Sequence, residues 1–484
     1  MIKKIQQDFS YYSHEFKDNY RKGVHRLRTI LASRAQAQAF VSNAGGVAVV
    51  LGYEPETPDK NAQELYALLA ASPYIDDAVQ TFLGSIYEAG AESQDAMYSD
   101  SARCLEILHD PVLSRAAGAG TVSAGKWIAT LAGQSCNLYR DMNAVAASDI
   151  AMTAVAASET AMAAVVSNAT ALNALVTSQV ALNAVAASET AMAAVIGNVT
   201  ALNAVVTSQL AMNAVAASET AMTAVIANTA AFNTVVTSHV AMNAVASSYV
   251  AVAAVYESAV AVEAVKANET AWSTLTGASS AVMGKAAAKL VGLNPADYAD
   301  MDAIAASSTA MAAIEKSQVA KDAIAASDMA TAKYAVGAAG LKPADYANMA
   351  AVAASQTAMA AIASSSTAMA AIASSQTAMA AIASSSIALN TIAASTTALD
   401  AIYAKKKRMS GASASLSGKF IILQISNDNA FDTSQYGYAT LSDGSKPKWD
   451  SYKGKYAYFK QYKKIATYMK NDTDRDDWID YFQC

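Results

Sequence analysis

Three cysteines in 484 residues, Cys104, Cys136 and Cys484, are too few to staple a chain of this size. Their odd number leaves no closed disulfide framework, as expected of a protein made in a reducing compartment. Net charge is small as well, −6 with a pI near 5.4, so neither a basic field for nucleic acid nor an acidic polyelectrolyte is supported. The four histidines, His14, His25, His109 and His239, are scattered. There is no P-loop, no G-x-S-x-G and no H-E-x-x-H, so no nucleophile is nominated, no cofactor or metal is expected, and the chain is expected not to be an enzyme. The start, MIKKIQQDFSYYSHEF, lacks the apolar run of a signal peptide. The uncharged stretch from Thr160 to Ser188 is broken by Ser, Thr and Asn every few residues, so neither export nor a membrane span is expected. What remains is a chain that is 54% hydrophobic and therefore has something to bury.

What is present is repetition. From Met142 to Leu275 the chain reads in tens, AMTAVAASET, AMAAVVSNAT, ALNALVTSQV and onward, and residues 151–180, 181–210 and 211–240 align as 30-mers. The period is thirty, made of three tens. Two further arrays begin at Met301 (AASSTAMAAI) and Met349 (AASQTAMAAI), each behind a junction segment, GLNPADYADM at 292–301 and GLKPADYANM at 340–349. In both junctions Gly breaks the chain and Pro opens a new helix start. These boundaries predict an N-terminal helical attachment region over 1–140, a first array over 141–276 and junction-separated arrays over 277–403. Within the first region, LASRAQAQAFVSN and AASPYIDDAVQTF look like eroded copies of the repeat.

A period of ten does not suit one continuous helix. Ten residues at about 100° each leave the Met/Leu stripe rotated by about −80° per repeat, against about −20° for a heptad. The recurring Ser or Asn offers a break, because it caps a new helix start, and the Glu of SET sits well at the positive helix end. Seven-residue helices are too short to stand alone and must be packed. Three per coil, each about 10 Å long against a packing distance of about 8–10 Å, make a self-consistent three-sided coil. The expected fold is thus mainly α, a helical solenoid of decapeptides in 30-residue coils. An oligomeric coiled-coil shaft is the first alternative and a β-type tube the second, although Ala is strand-poor and the large residues stand three apart rather than alternating.

Residues 404–484 differ in kind. The run YAKKKRMSGASASLSG reads as a basic, then Ser/Gly-rich linker, with KKKR at 405–408 a solvated stretch in preference to a nucleic-acid contact. Residues 403–482 hold 15 of the 36 aromatic residues. KFIILQIS reads as a strand, whereas YAYFKQYKKIATYMK and DRDDWIDYF return to helical spacing, giving a small α+β domain. Asp472, Asp474 and Asp476 alternate as in a calcium loop but lack its central Gly and terminal Glu. Cys104 and His109 lack partners for a zinc shell, and a core cysteine is the better reading. The candidate recognition surface is aromatic and basic: Tyr436, Tyr438, Trp449, Tyr452, Tyr456 and Tyr458 with Lys446, Lys448 and Lys453.

Runs such as AASQTAMAAIASSSTAMAAIASSQTAMAAI resemble the decapeptide arrays of structural proteins from tailed bacteriophages, described as tail fibre or appendage proteins. The resemblance covers about half the chain and carries over no functional residue. It implies a virion component made in the host cytoplasm, with an attachment region, a repeat shaft and a distal domain for host attachment. The implied partners are other virion proteins and a host surface glycan or protein, with homo-oligomers also open. A cell-surface adhesin or a repeat-built interaction scaffold is the alternative reading.

Overall fold

The computed structural model describes residues 16, 20–53, 60–87, 92–410, 414–427, 437–446, 448–449, 457–459, 464–471 and 478–483. The chain divides into two compact units, Met1–Ala244 and Val245–Cys484. Both are mainly helical, and the second ends in a small antiparallel sheet.

In the arrays the decapeptides form one helix apiece, most of eight or nine residues, for example Asp149–Ala157, Glu159–Val166 and Ala169–Val176. Among the described residues no helix exceeds 13 residues, so the arrays are neither a continuous coiled-coil helix nor a β-tube. None is long and apolar enough to cross a membrane by itself. The break is made by the predicted residue. The Ser158 hydroxyl accepts from the Ala161 amide at 3.2 Å, Asn168 from Ala171 at 2.9 Å and Ser178 from Ala181 at 3.3 Å. Each cap residue is extended (Ser158 φ −100°, ψ 115°). The chain therefore turns sharply between helices, by 99° at 158 and 96° between 169–176 and 179–186.

From Ser148 to Ser238 the fourth residue after each cap is a buried Met, Leu or Phe and the seventh a buried Val or Leu, as with Met192 and Val195 beyond Ser188; in the third array Ile takes the seventh place, as at Ile362 and Ile372. Full burial of such a side chain contributes about 1.5–3 kcal/mol, which offsets the marginal stability of so short a helix. Helices pack on the one three elements before: Asp149–Ala157 with Gln179–Ala186, Glu159–Val166 with Glu189–Gly197, and Ala169–Val176 with Val199–Thr207. The cap serine also joins these layers. Ser188 Oγ donates to the Ala156 carbonyl at 2.6 Å, Ser238 to Val206 at 2.8 Å, Ser385 to Ala353 and Ser395 to Ala363 at 2.5 Å each. The acceptor stands 32 residues back, at the end of the underlying helix, where carbonyls lack an intrahelical partner. One hydroxyl thus caps the start of its own helix and the end of another.

The same register begins earlier than composition suggests. Caps at Asp100 and Asp110 stand ten apart, with Cys104, Ile107 and Ala117 buried at the four- and seven-residue offsets. Helix packing three elements apart is already present between Tyr20–Ala32 and Lys60–Ala70.

The junction recurs three times, not two. Helices of 11 residues, Thr121–Leu131, Ser280–Leu290 and Asp328–Ala338, are each followed by a left-handed glycine: Gly133, Gly292 and Gly340, with φ of +72°, +73° and +76°. All three close in the same paired-hydrogen-bond cap, as in Leu293 N–H to Ala288 (2.9 Å) with Gly292 N–H to Lys289 (3.0 Å). A single 3-10 turn follows, at Cys136–Leu138, Pro295–Asp297 and Pro343–Asp345. Proline therefore opens this turn, and the next α-helix waits for the caps Asp141, Asp300 and Asn348. GQSCNLYRDM at 133–142 keeps the Gly, Tyr, Asp and Met of GLNPADYADM but lacks its proline, which hid it.

The C-terminal sheet corrects two expectations. Its strands are β1 (Lys407–Ser410), β2 (Ala414–Asn427), β3 (Gly437–Leu441), β4 (Lys448–Trp449), β5 (Ala457–Phe459), β6 (Lys464–Asn471) and β7 (Trp478–Gln483). They run in the order β1-β7-β2-β6-β3-β4, with β5 beside β2. The segments expected to be helical are strands, so the described part of 404–484 is a β-domain and not α+β. Both faces of the sheet carry apolar residues, so β7 buries four consecutive residues, Ile479–Phe482, and clean alternation is lost. Nor is KKKR a linker: Lys407 and Arg408 lie in β1, paired to Tyr481 and Asp480 of β7.

One face of the sheet has its own core of Phe420, Ile422, Met469 and Ile479. The other face, Ile421, Leu423, Ile465 and Phe482, joins the cluster of Ile392, Leu399 and Ile402 from the last array helices. The Lys419 ammonium donates to the Ala383 carbonyl, and Tyr403 to the Gln424 side chain at 2.8 Å. The sheet covers the end of the third array.

Candidate functional site

Of the predicted aromatic and basic surface, the β3–β4 hairpin brings part together. Tyr438 pairs in register with Lys448 and Gly437 with Trp449, at one edge of the sheet. Lys446 is exposed just before β4. The Tyr438 ring lies 5.6 Å from that of Tyr468 on β6. In the turn after β3 the Asp443 carboxylate accepts from the Ser445 hydroxyl at 2.6 Å and its amide at 2.9 Å, which holds its carboxyl below the usual range. Tyr458 sits apart, on β5 opposite Ser426 of β2. Tyr436, Tyr452, Tyr456 and Lys453 lie outside the described residues, as do Asp472, Asp474, Asp476 and Cys484.

Sequence reading missed the ionic centre of this domain. Asp480 is fully buried, and its carboxylate receives Arg408 in a two-pronged contact (2.6 and 2.9 Å) and Lys406 at 3.3 Å. The Arg408 guanidinium stacks 3.8 Å from the Trp478 ring centre, and the Lys406 ammonium lies 3.9 Å from that of Tyr403. Hydrogen bonding to Tyr403 and to Asp480 raises the Lys406 pKa. The basic run is spent on an internal acid, which the pairing of a distant aspartate concealed. Its role here is structural.

The thiols are unsuited to nucleophilic work. Cys104 and Cys136 are buried and free, and burial pushes the Cys104 thiol up to about 12 and raises that of Cys136; only a thiolate attacks. His109 is exposed on the helix that buries Cys104. Lys126 is drawn inward to an ion pair with Asp95 and to the Cys136 and Tyr139 carbonyls, 3.4 Å each. Lys333 repeats this in the third junction, donating to the Pro343 carbonyl at 2.9 Å and forming an ion pair with Asp302 at 2.8 Å. Both lysines brace junction turns. Among the described residues no three His, Cys, Asp or Glu side chains converge as they would to hold a metal ion.

The described residues of the second unit enclose a concavity of about 620 Å³ between the helices around 256–272, 318–326 and 374–377; a smaller one of about 230 Å³ adjoins it, with Ala325 and Ser374 lining both. Trp272 lines the larger cavity, and the Lys266 ammonium lies 5.6 Å from its ring centre. No family model matches the chain, and no curated protein matches it either.

Proposed function

We propose that this chain is a non-enzymatic structural protein of a tailed-phage virion, part of a tail fibre or other appendage, made in the host cytoplasm. In this reading the decapeptides form a three-sided helical solenoid, and the terminal β-domain faces a host or virion partner. The observation that supports it best is the use of the recurring serine. It caps one helix and ties it to the helix three elements back, so the repeated side chains are devoted to stacking layers and not to a site. A quasi-one-dimensional scaffold of this kind lengthens by adding units without enlarging a core, which suits a shaft. The resemblance of the AMAAI/AMAAV arrays to phage appendage repeats points the same way.

The test is composition and position. Mass spectrometry of purified particles from the phage that encodes the chain, with gold-labelled antibody against residues 142–240, is expected to find it at the tail or an appendage. Particles that lack the chain but assemble and infect normally would overturn the proposal and turn attention to a cell-associated adhesin or scaffold.

A further inference from the structure

The repeat register identifies a place where the stack opens. Positions four residues after the caps hold Met, Leu or Phe from Met152 at 0% exposure to Met242 at 2%, then Val252 at 0%, all buried. At the two final positions, Val262 and Trp272, the side chains are half-exposed instead. The same short stretch departs from the consensus: Glu257 and Glu263 stand at surface positions that carry Ala, Gly, Ser, Thr or Asn in the earlier repeats, and Lys266 stands where those repeats carry mostly buried Ala, Val or Ile. These departures line the 620 Å³ cavity, whose far walls carry Asp322, Gln376 and Thr377. A volume of this size lies within the usual range of about 300–1,000 Å³ for small-ligand sites.

The chemistry of the lining selects among ligands. Of its three carboxylates only Glu263 faces a cation, Lys266 at 3.0 Å, while the Asp322 carboxylate accepts from the neutral Gln318 amide at 2.7 Å and Glu257 adds a third negative group. The lining is thus net negative and disfavours an anionic ligand. What the walls offer is a half-exposed indole beside carboxylate acceptors and amide and hydroxyl donors, complementary to a ligand with an apolar C–H face and a rim of hydroxyls. The adjoining 230 Å³ cavity, with Gln318, Lys321 and Thr367 on its walls, continues the same mixed lining and favours an extended ligand over a single ring. We infer that this groove is a binding site for a neutral oligosaccharide, with Trp272 as the stacking platform and Asp322, Gln376 and Thr377 as hydrogen-bonding partners. The inference deepens the appendage reading, since such a site would engage surface glycans, but it is tested independently of virion location.

The full-length chain is screened on an array of neutral and acidic oligosaccharides from bacterial cell surfaces, and the strongest binder is titrated calorimetrically. A neutral oligosaccharide is expected to bind, Trp272→Ala to weaken it at least tenfold, and Trp272→Phe to retain part of the affinity. Should Trp272→Ala lower the melting temperature, the exposed pair Asp322→Asn and Gln376→Ala gives the same reading without touching the packed indole. Absence of any neutral binder, a preference for acidic saccharides, or affinity indifferent to all these variants would overturn the site. Failure of the appendage proposal would show instead as absence from particles.

Discussion

At the scale of the residue, a cap serine that also reaches the layer below has two jobs that can be separated. Ser188 accepts the Ala191 amide at 3.2 Å and donates to Ala156 at 2.6 Å. Losing a cap costs about 0.5–2 kcal/mol, and losing a neutral hydrogen bond about 0.5–1.5 kcal/mol. Ser188→Ala is therefore expected to cost about 1–3 kcal/mol, and Ser188→Asn, which keeps the cap acceptor, less. Glu189→Ala removes only an exposed helix-end charge worth about 0.3–1 kcal/mol. Hydrogen exchange over residues 180–200 resolves such local opening; equal losses for Ser188→Ala and Glu189→Ala would show that the link between layers contributes nothing. Cys104 makes a second residue-scale prediction. Because the folded thiol titrates near 12 rather than at its ordinary 9.0, its contribution to stability is complete below pH 9 and is lost as pH rises toward 12. At about pH 8 Cys104 should alkylate only at the rate of local unfolding; prompt labelling by iodoacetamide in the native protein would contradict its burial.

At the scale of the element, two of the three junction modules hold a close backbone contact at a glycine, Gly125 and Gly284, where the third carries Ala332. A Cβ on Gly284 would lie 2.2 Å from the Asp300 carbonyl carbon and 2.6 Å from the Met301 nitrogen, and one on Gly125 would meet Asp141 and Met142 in the same way. A Cβ on Gly197, inside an array helix, meets nothing within 4 Å. Gly284→Ala is expected to destabilise by about 1–3 kcal/mol through overpacking. Gly197→Ala should be neutral or stabilising by up to about 1 kcal/mol. Thermal melts of the two variants check this, and equal shifts would mean that the helix and its following cap do not touch as described.

The same elements show what can and cannot be seen in a sequence. The decapeptide helices were legible because a cap residue and an apolar pair recur at fixed offsets, and local signals of that kind survive without tertiary context. The strands Lys464–Asn471 and Trp478–Gln483 were not, because a sheet buried on both faces shows no alternation. Lys406 and Arg408 read as solvated because their partner Asp480 is more than seventy residues away. For the candidate site, the β3–β4 pairing that gathers Tyr438, Lys448 and Trp449 was foreshadowed by composition. Trp272 was not, because its register marks a core position and its exposure depends on which helix fails to cover it.

At the scale of the whole molecule, a stack of short helices has a cost at its ends, where an apolar layer is left without a neighbour. The third array solves this with the sheet, whose Ile421, Leu423, Ile465 and Phe482 lie against Ile392, Leu399 and Ile402. The Ser/Gly-rich run after Ile402 suggests a detachable domain, and the packing argues otherwise. Replacing both Lys406 and Arg408 with Ala strands a fully buried Asp480 carboxylate, expected to cost about 3–5 kcal/mol, and the loss should extend to the helices beneath the sheet. Truncation after Ile402 removes the cover outright. The exposed end of one array then resembles the layer it would have stacked on, and a second copy is the nearest surface able to bury it. The truncated chain is thus expected to self-associate, with sedimentation velocity showing concentration-dependent growth absent from the full-length protein. A truncated chain that stays monomeric and melts as the intact one does would mean that the sheet is an appendage to the array and not its cap.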